Sequence, residues 1–484
     1  MTAVTLEKVA DCLANEQVGV EVPFGLQDPA KKTLELMLEY AARKGIAMQT
    51  EEIKCDVLIA GCGVSGLYAA LNLPSTANII MVTKTVVEEC DSMLAQGGIC
   101  VLHDEGDYDA FYEDTMRAGH YENRAESVDI MIRSSRSVID DLIRRGVDFE
   151  READGSLAYT REGAHSRPRI CYHGDITGEE ITTTLLENVR RLPNVRILEH
   201  IEVTDIIEDP QGNRCVGAVC ADRRGGEGAE RRLLIRAPYT MLATGVIGWS
   251  YERSTNFPSL TGDACRIAQE HGVALEHMDY VQIHPTSLYV KHPGRAFLIS
   301  ESCRGEGAIL LDAKGNRFTD ELQPRDVVSA AIYEQMKKDG TDHVLLSFER
   351  MSPDEITGHF SHIYARCLEE GYDLLKEPIP VVPAQHYFMG GVHVNSDSET
   401  TMMNFFALGE TACNGVHGKN RLASNSLLES LVFAQRAARV VSSRMAKAVS
   451  MYAGAVSTAG AAQRAAHAKM PQQVAANVVV KVAR

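Results

Sequence analysis

The chain has 484 residues, 45% of them hydrophobic and 24% charged, enough to bury a large core and to divide into more than one domain. Its formal net charge of −17 argues against nonspecific binding to nucleic acid or to anionic membranes. Twelve irregularly spaced cysteines include no Cys-x-x-Cys pair, so no zinc, iron–sulfur or other metal site is expected, and buried thiols in a reducing cytoplasm are.

Residues 1–50 predict a helical appendage, with one amphipathic stretch opening at a Thr5 cap and a second over 28–43. No basic segment followed by an apolar one opens the chain, and no apolar run reaches about 18 residues, so no membrane association is expected.

Residues 51–277 alternate strand-like and helix-like runs. The apolar run 57–60 meets Gly61-Cys62-Gly63-Val64-Ser65-Gly66, then a small-residue helix and a second strand ending at Val82. That is the strand–helix–strand setting of a dinucleotide fingerprint. Gly61 would make the tight turn, Gly63 would admit a pyrophosphate, and Gly66 would allow close helix–strand packing. Lys84 follows the second strand where an acid usually holds the ribose, which weakens a plain NAD reading and by itself would suit a 2′-phosphate. A second Gly-rich turn, Asp91-Ser92-Met93-Leu94-Ala95-Gln96-Gly97-Gly98-Ile99, comes soon after. A helix is predicted over 125–146, and strands over 233–237 and 240–245 are expected to return to the nucleotide sheet.

Within residues 386–446, Gly415, His417, Gly418, Asn420, Arg421, Ser424, Asn425 and Ser426 crowd ahead of the apolar helical run from Leu427. A helix start of this kind presents free N–H groups to an electron-rich ligand, and Arg421 adds a planar fork matched to a carboxylate. After 446 the chain is Ala-rich, and a frayed helix or disorder is expected over 447–484.

The turn at 91–99, together with Arg161-Glu162-Gly163-Ala164-His165-Ser166, His284-Pro285-Thr286, Arg304-Gly305-Glu306-Gly307-Ala308, Pro324-Arg325-Asp326 and His386-Tyr387-Phe388-Met389, resembles the succinate dehydrogenase/fumarate reductase flavoprotein family over residues 53–445. The resemblance implies an α/β fold: a Rossmann-like FAD-binding domain, discontinuous in sequence because 386–446 return to it, with an inserted α+β capping domain over 278–385. It implies FAD on Gly61, Gly63, Val64, Ser65 and Gly66 at the pyrophosphate, Lys84 on the adenosine side, and Val203 at the adenine. Ser92, Ala95, Gln96, Gly97 and Gly98 would lie beside the flavin ring, with Asp263, Glu410, Ser426 and Leu427 as further contacts. Respiratory relatives attach flavin through a His beside this turn; Asp91-Ser92-Met93 has none, which implies noncovalent FAD. Val246 departs from the family's second Gly after Thr244-Gly245.

The implied substrate is a small dicarboxylate. By resemblance, Arg421 and His386 grip one carboxylate with Ser424 near the flavin, His284 and Ser300 hold the other, and Gln282 touches substrate. Arg325 takes the family's proton-shuttling position with Glu301 as relay. Glu162 fits an α-ammonium, which implies oxidation of aspartate, with oxygen or fumarate as acceptor. The alternative is a soluble fumarate reductase or succinate dehydrogenase-type subunit. His165 and His173 are expected to be structural, and Arg304 and Glu306 to hold each other. The first 45 or so residues are similar to the C-terminal tail of quinolinate synthase, which implies that enzyme as a partner.

Overall fold

A computed structural model describes residues 50–224, 231–245, 247–248 and 250–468, with side chains to residue 450. The expected appendage over 1–49, Val246 and the last sixteen residues lie outside the described residues.

The first half contains β1 (Thr50–Lys54), β2 (Val57–Ala60), α1 (Val64–Asn72), β3 (Ile79–Val82), α2 (Tyr108–Ala118), α3 (Ala125–Arg145), α4 (Thr177–Arg190), β4 (Val195–Leu198), β5 (Ile201–Glu208), β6 (Cys215–Asp222), β7 (Arg231–Arg236), β8 (Tyr239–Leu242) and α5 (Asp263–Glu270). The capping unit has β9 (Val281–Leu288), α6 (Glu301–Gly305), β10 (Ile309–Leu311), α7 (Arg325–Asp339), β11 (Val344–Ser347), α8 (Pro353–His359), α9 (Ser361–Glu369) and β12 (Ile379–Phe388). Last come β13 (Phe405–Ala407) and the long α10 (Asn425–Ala468).

The nucleotide sheet is parallel throughout, in the order β13-β8-β2-β3-β4. Its central strands β2 and β3 are apolar and buried at every position because both faces are covered. Val57 and Ile59 of β2 join a core shared with α1, α3 and the first turns of α10, while Leu58 and Ala60 face a second core. In β3, Ile79 and Met81 divide from Ile80 and Val82 in the same way.

The strand expected over 233–237 does not join this sheet. As β7 it lies between β1 and β6 in a separate sheet ordered β1-β7-β6-β5, parallel only at β1–β7. Its alternating burial, with Leu233 and Ile235 inward, suits a sheet covered on one face.

The capping unit is an antiparallel sheet, β9-β12-β11-β10, packed with α7, α8 and α9 around Leu310, Ile332, Leu346, Phe348, Phe360, Ile363 and Ile379. The expected division between 385 and 386 falls inside β12, so His386 rides on a capping strand. The two units are tied where the Asp175 carboxylate accepts the backbone N–H groups of His362 and Ile363, at 3.2 and 2.6 Å.

Candidate active site

The cofactor end of the site starts at the β2–α1 turn. Gly61 sits at φ +108°, and a Cβ there would come within 1.9 Å of the Ala243 carbonyl oxygen. Only glycine fits such a place. Gly63 precedes α1 without a side-chain cap, and the Val64 N–H donates to Ser92 Oγ at 3.1 Å, which joins the two Gly-rich turns. Gly66 packs under the turn against Gly61 O and does not line the cleft.

A cleft with about 1770 Å³ of empty space, its mouth included, runs from this turn to the capping strands. Of the residues assigned to the cofactor, Gly61, Gly63, Val64, Ser65, Lys84, Ser92, Ala95, Gln96, Gly97, Gly98, Val203, Asp263, Glu410, Ser426 and Leu427 all line it. Lys84 is held by Asp263 and Glu202, at 2.8 and 3.1 Å. Glu202 thus sets an acid from β5 against Lys84 on the cleft wall. Nothing local in the sequence marks it. Glu410 accepts the Phe388 N–H at 2.9 Å, and burial, reinforced by Asp91, pushes its carboxyl up to about 8. A close-approach turn, a helix N-terminus and a wall of small residues fit a dinucleotide such as FAD.

At the far end Arg325 and Arg421 meet. Arg325, the first residue of α7, donates from Nε to Glu301 Oε2 at 2.5 Å and from Nη1 to Gln282 Oε1 at 2.8 Å. Arg421 donates to the same Gln282 oxygen at 3.3 Å and to Ser426 Oγ at 2.6 Å, and its Cζ lies 4.4 Å from the Tyr387 ring centroid. Burial and the neighbouring Arg325 lower the Arg421 guanidinium to about 10. Gln282 is placed differently from expectation. Its amide nitrogen donates to Asn420 Oδ1 and Arg421 O, and the residue stays out of the cleft wall. It braces the two arginines rather than facing a ligand.

His284 and His386, with ring centroids 5.2 Å apart, face this space from β9 and β12. Burial and the nearby guanidiniums hold both imidazoles well below their usual range, hence neutral. His284 Nδ1 lies 3.2 Å from the Thr286 N and 3.1 Å from its carbonyl oxygen, which fixes the ring, and Nε2 is buried without a protein partner among the described residues. A buried polar atom of this kind suits contact with a ligand. Thr255 Oγ1 lies 2.8 Å from His386 Nδ1 and steadies the ring, a contact the sequence did not reveal. Ser300 caps α6, accepting the Ser302 N–H, and lines the cleft.

Two acids complete the wall. Burial pushes Glu301 up, but Arg325 and Arg304 outweigh it and leave the carboxyl below its usual value. Arg304 sits 3.4 Å from Glu301, while Glu306 pairs with His359. The expected Arg304–Glu306 pair does not form, because the short α6 turns the two side chains apart. Glu162 is raised by burial and then by Glu301. Its Oε2 accepts Ser424 Oγ at 2.5 Å and its Oε1 accepts Ser302 Oγ at 2.9 Å. His165 anchors this loop: Nε2 lies 3.0 Å from Ala423 O, and the buried Arg169 reaches Nδ1. Arg169 is itself fixed by Asp107 and Asp114.

A nucleotide cradle that opens into a pocket walled by arginines, neutral histidines and carboxylates defines a FAD-dependent oxidoreductase for a small polar acid. The FAD binding domain family matches residues 56–427. L-aspartate oxidase of Clostridium perfringens is 49% identical over 389 residues, 80% of this chain and 87% of that protein. L-aspartate oxidase of Clostridium acetobutylicum is 46% identical over 387 residues, with the same two shares. Among solved structures, a variant of E. coli quinol fumarate reductase FrdA superposes with a TM-score of 0.76 at 30% identity, covering 86% of this chain and 74% of that one. The chain belongs to the FAD binding domain family, and within it to the group of the L-aspartate oxidases.

Proposed function

We propose that this enzyme oxidises L-aspartate to iminoaspartate, with oxygen or fumarate as the final acceptor, at the entry to quinolinate and NAD synthesis. The observation that carries the reading is Glu162: an acid placed in one cavity with two arginines and two neutral histidines. Two carboxylates need the cations and imidazole donors, and an α-ammonium needs the acid. Succinate has no group for that acid, and an unpaired buried charge costs several kcal/mol, about 3–5 when one partner is removed.

FAD, held noncovalently, supplies the acceptor for the hydride that leaves Cα. The chain does the rest. Arg421 and His386 fix one carboxylate; His284 Nε2 and the Ser300 hydroxyl fix the other. Glu162 receives the ammonium N–H groups on the lone pairs that Ser302 and Ser424 leave free. The amine must shed one proton before its lone pair can form the C=N bond, and the raised Glu162 carboxylate is placed to take it. In the fumarate direction Arg325 delivers a proton to carbon, and the ionised Glu301 carboxylate, 2.5 Å from its Nε, relays a replacement proton to it. Exclusion of water by the capping strands strengthens each of these contacts.

The fumarate reductase reading is favoured by the superposition on that fold alone. No described helix is long and apolar enough to cross a membrane. The eleven described cysteines are free and ten are buried, which suits a cytoplasmic enzyme. Quinolinate synthase, as consumer of the product, is the partner supported by the likeness of residues 1–45 to its tail. The test is anaerobic mixing of the purified yellow protein with aspartate and, separately, with succinate. Bleaching by aspartate is expected; bleaching by succinate alone would overturn the reading.

A further inference from the structure

We propose that Ser302 is a positioning residue for substrate choice: with Ser424 it clamps Glu162 so that the free lone pairs of that carboxylate face the substrate amine. The proposal rests on the aspartate reading given above. Among the described residues, the Glu162 carboxylate receives hydrogen bonds only from these two hydroxyls, one on each oxygen. The two serines approach from opposite units. Ser302 lies in the first turn of α6 in the cap, and Ser424 lies just before α10 in the cofactor domain. Glu162 is therefore aligned only when the cap and the cofactor domain are in register.

Three further observations point the same way. Ser424 adopts φ +60°, a left-handed conformation that serine seldom takes, and its own carbonyl is tied to the Cys100 N–H at 3.0 Å. A Cβ at Gly97 would lie 2.2 Å from Glu162 Oε1, so the turn beside the flavin ring closes directly over the clamp. Ser302 is itself pinned, because its N–H donates to Ser300 Oγ and its carbonyl accepts the Glu306 N–H. Burial and Glu301 work to protonate Glu162, while Ser424, Arg325 and Ser302 oppose them. Loss of one hydroxyl frees the carboxylate to turn away from the amine or to hold its proton. In either state it is a poorer acceptor for an ammonium, and the dicarboxylate contacts are left intact.

The experiment compares Ser302→Ala and Ser302→Thr with the wild-type holoenzyme in two assays: aspartate oxidation, and fumarate reduction by a reduced dye. A hydrogen bond to a charged group weighs about ten- to a hundredfold in an equilibrium. We expect Ser302→Ala to lose at least about tenfold in kcat/KM for aspartate, mainly through KM, with fumarate reduction changed less than about threefold. Ser302→Thr, which keeps the hydroxyl, should recover most of the loss. Equal losses in both assays, or Thr no better than Ala, would overturn the proposal. Ser302→Cys, similar in size and a weak donor, replaces the alanine variant if that fails to yield flavin-bound protein; failure of every variant to fold assigns the hydroxyl to folding and also overturns it. A wild-type protein that never turns over aspartate sinks the functional reading itself. An indifferent Ser302→Ala beside an active wild type sinks only the clamp.

Discussion

Arg421 lies over Tyr387, with its Cζ 4.4 Å from the ring centroid, and the Tyr387 hydroxyl is 3.4 Å from His417 Nε2. The guanidinium is thus held from one face by a buried aromatic and from its edge by Gln282 and Ser426. A desolvated contact of this kind is worth about 2 kcal/mol, roughly thirtyfold in binding. Tyr387→Leu should raise KM for aspartate and fumarate together by about that factor, while Tyr387→Phe changes it little. Steady-state kinetics on both substrates checks the result, and a change confined to one substrate would contradict it.

Glu162→Gln separates recognition of the amine from recognition of the carboxylates. The amide keeps the volume but cannot balance a buried ammonium, and such a loss costs about 3–5 kcal/mol. Aspartate oxidation should fall more than about a hundredfold in kcat/KM, with fumarate reduction within about fivefold. Parallel losses would remove Glu162 from amine recognition.

Gly61→Ala combines a left-handed backbone with a steric collision against Ala243 O. The two penalties together exceed about 3 kcal/mol. The purified variant should be largely colourless, with the 450 nm to 280 nm absorbance ratio close to that of flavin-free protein. A fully yellow variant would show that the β2–α1 turn tolerates a side chain and is no cofactor cradle.

His271 ties α5 to β5 through Asp205 and Glu208, at 2.6 and 2.5 Å, and the Asp205 hydrogen bond leads in raising its imidazole to about 9. Unfolded, it titrates near 6.5. The folded state therefore binds the extra proton, so the added stability is complete below about pH 6.5, declines above it, and is gone once pH passes 9. Urea midpoints at pH 6 and pH 9.5 should differ less in His271→Gln than in the wild type. An unchanged difference would assign the pH dependence elsewhere.

The cofactor half was legible because its signals are local. Gly61, Gly63 and Gly66 sit at fixed offsets beside a strand apolar at every position, and that pattern needs no knowledge of the rest of the chain. Residues 233–237 went to the wrong sheet because an apolar strand carries no mark of its neighbour; pairing is decided by chain segments far away. Gln282 misled for a related reason. A polar side chain two residues before His284 looks like a ligand, and only the folded chain reveals that Arg325, Arg421 and Asn420 occupy both ends of its amide. Ser302, Tyr387 and Glu202 were silent, since a serine, a tyrosine or a surface-like glutamate gains meaning from what it touches.

Because β13, residues 405–407, closes the flank of β8, a growing polypeptide leaves the ribosome with that flank bare until almost all of it has been made. The open edge is an apolar template through most of synthesis, and an interrupted chain keeps it for good. Truncated products should therefore be strongly dependent on chaperones, and a mutation that slows arrival of the last sixth of the chain would lower yield without touching any residue near the flavin.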